Sequence, residues 1–118
     1  MSKDGTRTYG ERRVTERHPV RVDVNYRHGD TYLFSTSKDV SELGIFLVSA
    51  TPLPRGSSLE LRFGAGEGGE SIDVAGEVMW VEPGGMGRDP GMGVRFSNPS
   101  PEMRERIRSL IRTMAYLE

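Results

Sequence analysis

Hydrophobic and polar residues alternate along most of this chain. Val20, Val22, Val24 and Tyr26 interleave with Arg21, Asp23, Asn25 and Arg27, and Leu59, Leu61 and Phe63 enclose Glu60 and Arg62. Ile72, Val74, Val78 and Trp80 share one parity while Asp73 and Glu77 share the other, and Met92, Val94 and Phe96 are separated by Gly93 and Arg95. A period of two sets one face of a strand on a core and the other in water, the mark of half-buried antiparallel strands. Thr31 to Phe34 and Gly44 to Val48 read as two shorter strands. Turn-forming clusters separate the runs: His28-Gly29-Asp30, Pro52 to Gly56, Gly64 to Gly69 and Pro83 to Gly91. About six strands at such close spacing predict an antiparallel barrel or sandwich.

The period changes at the end of the chain. Ser100 can cap a helix and Pro101 suits its first position, after which Met103, Ile107, Leu110, Ile111, Met114 and Leu117 recur at three and four. A helix is expected over 100–117, with its apolar stripe docked on the open end of the barrel and Arg104, Arg106, Arg108 and Arg112 on an exposed face. The stripe reads as a core face rather than a partner-binding face, because such stripes usually look inward. Residues 1–11 are polar and without periodicity, which predicts a flexible tail ahead of one domain over 12–118.

Composition narrows the functional classes. A chain of 118 residues can bury roughly two-thirds of its unfolded surface and needs no staples. With no cysteine, thiol catalysis, disulfides and thiolate metal sites are excluded, which fits a reducing cytoplasm. No signal-like or membrane-spanning run is present, so a cytoplasmic protein is expected. His18 and His28 flank a polar-alternating segment, so no histidine metal centre is expected. The net charge of −1 is unevenly spread, with seven Lys/Arg against five Asp/Glu over 1–30, five against nine over 31–99 and four against three over 100–118. A basic start before an acidic body predicts a local anion site rather than a nucleic-acid track.

The stretch GAGEGG satisfies a GxGxxG spacing at Gly64, Gly66 and Gly69, but a strand follows it where pyrophosphate binding needs a helix, and Glu67 and Glu70 would repel phosphate. It reads as a hairpin loop. The acids are scattered over strand faces and no acid–base pair with an orienting third group is visible, so no catalytic residue and no enzyme activity is expected. The arginines differ. Arg12, Arg13 and Arg17 crowd the approach to the first strand, only partly offset by Glu11 and Glu16, and guanidinia offer bidentate donors to phosphate and flat faces for stacking. An arginine also suits the O6 and N7 acceptors of guanine. In KDVSELGIFL, Asp39 offers an acceptor for the donor edge of guanine, the Ser41 hydroxyl both donates and accepts, and Gly44 leaves room beside the chain.

Arg13-x-x-x-Arg17, 21 intervening residues, and Asp39-x-Ser41-x-x-Gly44 together resemble the paired signature of PilZ domains. The resemblance runs from about Arg12 to Leu117 and takes in GMGVRF, Gly91 to Phe96. It implies a six-stranded antiparallel β-barrel with a C-terminal helix, and a bacterial receptor for cyclic di-GMP. It also implies that Arg13 and Arg17 clasp phosphates and guanine edges, that Asp39 and Ser41 bind a guanine, and that Gly44 keeps the mouth of the strand clear. Arg12 resembles the extra arginine that accompanies an intercalated ligand pair in this family. Trp80 stands where the family often has an aromatic near the site, yet its parity with Val74 and Val78 predicts core packing. The expected protein is a single-domain adaptor, monomer or ligand-modulated homodimer. It orders its arginine-rich start on the dinucleotide, at roughly micromolar affinity from four or five charge-assisted bonds, and signals to a downstream protein. The alternatives are a PilZ-like interaction module independent of nucleotide, and a small RNA-binding barrel, against which the acidic body argues.

Overall fold

The computed structural model describes residues 17–64 and 71–117. Six strands follow in chain order: β1 (Asp23–His28), β2 (Thr31–Val40), β3 (Gly44–Val48), β4 (Ser58–Gly64), β5 (Ser71–Glu82) and β6 (Gly91–Phe96). A helix, α1 (Pro101–Leu117), ends the chain. The strands close into an antiparallel barrel in the order β1-β2-β3-β6-β5-β4. Closure gives each of these strands two partners, so among the described residues no sheet edge is left to recruit another chain.

The alternating positions meet in one core. Val24, Leu61, Val78, Met92, Ile45 and Leu47 are all but inaccessible to solvent. The helix contributes Ile107, Leu110 and Ile111 to that core, with Met103 and Met114 packed against it. Ser100 caps it: its hydroxyl accepts from the Met103 amide at 3.0 Å, and its carbonyl accepts from Arg104 at 2.8 Å. Arg106 donates to the Ser71 carbonyl at 2.5 Å, tying the helix to the start of β5.

Before β1 the chain is already bound to the barrel. His18 and Val40 exchange two backbone hydrogen bonds of 2.9 and 3.0 Å. Ser37, fully buried, donates its hydroxyl to the Val20 carbonyl at 2.6 Å and accepts from the Val22 amide at 2.9 Å. Residues 17–22 therefore run along β2, with Val20 and Val22 buried. The second strand is much longer than its apolar start, Thr31 to Phe34, implies, because the next two inward positions are Ser35 and Ser37 rather than hydrocarbons. Ser37→Ala would leave a buried carbonyl and amide without partners, a loss of about 1–3 kcal/mol. Urea denaturation should show that loss, and an unshifted midpoint would mean the segment is held by other contacts.

Two bulges interrupt the registers. On β2, Ser37 faces Leu47 but Asp39 faces Phe46, which makes Lys38 an inserted residue. On β5, Val78 faces Val94 but Trp80 faces Gly93, which inserts Met79. A bulge of this kind reverses which side chains point inward. Asp39 is thereby turned outward while Val40 turns into the core, and Trp80 is turned outward beyond buried Val78. The core role expected for Trp80 is thus corrected: the residue is 45% exposed.

Candidate ligand site on the outer barrel wall

The two bulges flank a single cross-strand row. Asp39 of β2 stands opposite Phe46 of β3, Phe46 opposite Gly93 of β6, and Gly93 opposite Trp80 of β5. A Cβ on Gly93 would lie 2.2 Å from the indole, so the missing side chain is what lets Trp80 lie flat across β6. The Phe46 and Trp80 rings stand 6.1 Å apart at 37°. Arg17 spans the row. Its Nε–H donates to Asp39 Oδ1 at 2.6 Å, and its guanidinium carbon lies 5.7 Å from the Trp80 ring centroid. Lys38, pushed out by the bulge, brings its ammonium to 5.8 Å from the Phe46 ring.

An acid, two aromatic rings and two cations are therefore gathered on one outward surface. The Arg17–Asp39 pair is partly exposed, with side chains 36% and 25% accessible. Such pairs contribute only about 0–1 kcal/mol, so a ligand that offers better partners can exchange with either member. Among the described residues Arg17 makes its side-chain hydrogen bond through Nε–H alone, and its guanidinium lies beside the indole ring.

Ser41 and Gly44 occupy the adjacent turn. Ser41 is buried; its hydroxyl accepts from the Leu43 and Gly44 amides, both at 3.2 Å, and its amide donates to the Gly44 carbonyl at 2.8 Å. The hydroxyl thus closes the turn that connects Asp39 to β3. A Cβ on Gly44 would lie 2.2 Å from the Val94 carbonyl oxygen, so the glycine accommodates the backbone of β6 rather than open space. Of the residues singled out from sequence, Arg17, Asp39, Ser41 and Gly44 are brought together. Arg12 and Arg13, the expected tail over 1–11 and, except for Gly64 at the end of β4, the glycine loop expected over Gly64 to Gly69 lie outside the described residues.

Sequence reasoning assigned no role to Phe46, Lys38 or Glu42. Glu42 follows Ser41, and its carboxylate accepts from Arg108 at 2.8 and 3.2 Å and from Arg104 at 3.4 Å. Two of the four arginines expected on the solvent face of α1 are instead committed to this turn. Hydrogen bonding from Arg108, aided by the charges of Arg108 and Arg104, outweighs burial and holds the Glu42 carboxyl below its ordinary pKa of 4.5. A carboxyl depressed in the folded state stabilises it fully above that ordinary value and progressively less as pH falls through the lowered one. Glu42→Gln should therefore flatten the acid limb of stability against pH, measured by chemical denaturation from about pH 7 to about pH 3. An unaltered limb would mean the pair contributes nothing there.

A cavity of about 760 Å³ lies across the barrel on β1, β2, β4 and β5. Its charges are neutralised in pairs, Arg27 with Glu60 and Arg62 with Asp73, leaving no comparable surplus of cation beside an aromatic. Among the described residues no cluster of acids and histidines could hold a metal ion. None of their helices is long and apolar enough to cross a membrane.

A closed six-stranded antiparallel barrel with a C-terminal helix, its polar and aromatic row carried on the outer wall, is the architecture of a small binding domain. The chain belongs to the PilZ domain family, whose sequence profile matches residues 11–113. Its fold is similar to that of the PilZ domain of YcgR from Escherichia coli with c-di-GMP. The TM-score is 0.72 at 16% identity, over 86% of this chain and 89% of that one. It is also similar to the Bacillus subtilis inhibitor of motility MotI/DgrA, with a TM-score of 0.69 at 20% identity over 82% of this chain. The match spans 48% of MotI/DgrA. No functionally curated protein matches the chain.

Proposed function

We propose that this chain is a cyclic di-GMP receptor without enzymatic activity, acting in a bacterial cytoplasm as a single-domain adaptor over residues 12–118. The observation that carries the reading is the meeting of Arg17 and Asp39, 22 positions apart, over Trp80 in a PilZ-family chain. YcgR, a protein of the same fold, is solved with c-di-GMP, which supports the choice of ligand. Asp39 suits the N1–H and amino donors of guanine, while Arg17 suits its O6 and N7 or a phosphate. The indole face offers a stacking surface for the purine.

Capture exchanges the Arg17–Asp39 pair for ligand contacts, and Arg12 and Arg13 close over the dinucleotide as the arginine-rich start becomes ordered. That rearranged surface is what a downstream protein reads, from a monomer or a ligand-modulated homodimer. Trp80 is the chain's single tryptophan, so its emission reports the site directly. Titration with cyclic di-GMP should change Trp80 fluorescence and release heat, saturating in the micromolar range, roughly −8 kcal/mol. Neither signal at millimolar dinucleotide would leave the chain an interaction module independent of nucleotide.

A further inference from the structure

Glu42 falls in one of the three positions that Asp39-x-Ser41-x-x-Gly44 leaves open, and so belongs to the turn that presents Asp39. Its side chain is only 13% exposed, yet every partner it has among the described residues is on α1, more than 60 positions away. Arg108 grips both carboxylate oxygens as a fork, Nε to Oε2 and Nη2 to Oε1. Arg108 is itself held from within the helix by Glu105, which also contacts Arg112. From the other side, the Ser41 hydroxyl fastens the Leu43 and Gly44 amides, so that the backbone on both flanks of Glu42 is fixed.

We infer that Glu42 is a positioning residue that couples the dinucleotide site to the docking of α1. The inference rests on the receptor reading above. The turn is shared: one end carries the acid that receives the guanine, and the middle is clamped by the helix. A rearrangement of Asp39 on capture must therefore be transmitted to Arg108, and a helix drawn away by a partner must alter how Asp39 is presented. Such coupling is reciprocal, the two binding events changing each other by one factor. The docked arrangement is also imperfect. The Arg104 Nε–H is buried without a hydrogen-bond partner among the described residues, a condition that a shifted helix relieves.

The test compares wild type, Glu42→Gln, Arg108→Ala and the double variant by calorimetric titration with cyclic di-GMP, with melting curves confirming that each is folded. Glu42→Gln keeps the shape of the side chain and so preserves the fold while removing the charge. Each single change should weaken binding by about five- to tenfold, and the double should be no weaker than either single, because both break one link. In wild type, saturating dinucleotide should also alter amide hydrogen exchange over residues 104–112, and Glu42→Gln should abolish that response. Single variants that bind like wild type, a double whose losses multiply, or a helix indifferent to ligand would overturn the coupling and leave the receptor reading standing. A wild type that ignores the dinucleotide would overturn both.

Discussion

Replacing Arg17 with alanine is expected to weaken cyclic di-GMP binding by about a hundredfold while leaving the melting temperature almost unchanged. Each charge-assisted hydrogen bond contributes roughly 1.5–3 kcal/mol, and every 1.4 kcal/mol is a factor of ten in affinity. Arg17 offers a fork of donors together with a flat cationic face beside Trp80, so its loss removes at least one such bond and the stacking partner. Stability is spared because the partly exposed pair with Asp39 contributes at most about 1 kcal/mol. Arg17→Lys keeps the charge but not the planar fork and should recover only a small part of the affinity. Calorimetric titration of the three proteins gives the comparison, and equal dissociation constants for wild type and Arg17→Ala would remove Arg17 from the site.

The second large effect is on the fold. Gly44→Ala would set a methyl carbon 2.2 Å from the Val94 carbonyl oxygen, a separation that non-bonded atoms do not tolerate. The obstacle is backbone on both sides, so relief requires β3 and β6 to part where Gly44 faces Arg95. Overpacking of this severity costs about 3 kcal/mol, which for a domain of this size lowers the melting temperature by roughly 10 °C. The same movement disturbs the Gly44 amide bonded to Ser41, so affinity should fall along with stability. Scanning calorimetry decides the matter. A melting temperature equal to that of wild type would mean that the glycine is not needed for the approach of the two strands.

Much of this architecture was legible where hydrocarbon marks the inward positions. Val24, Leu59, Leu61, Phe63, Met92 and Phe96 alternate and are buried as the pattern predicts. The middle of β2 was not legible, since its inward residues Ser35 and Ser37 carry hydroxyls that satisfy backbone groups and leave no apolar period. Trp80 was misplaced for a related reason. Val78-Met79-Trp80-Val81 is four apolar residues in succession, and that lapse in alternation is the one sequence sign of the inserted residue. Phe46 gave no sign, because Gly44 to Val48 is apolar on both faces: Ile45 and Leu47 fill the core while Phe46 is covered from outside. The tie between Glu42 and α1 joins residues 66 apart in the chain, and neither pattern nor spacing exposes such a contact.

The bulges at Lys38 and Met79 have a consequence for how related barrels are compared. Each acts on facing direction as a frameshift acts on codons, re-phasing everything beyond it by one. A relative with the same letters but lacking either insertion would carry its acid or its indole on the opposite side of the wall. Motif identity and recognition surface can thus diverge through a single deletion. Alignment gaps beside these two positions, more than substitutions within the motif, mark the relatives whose specificity has changed.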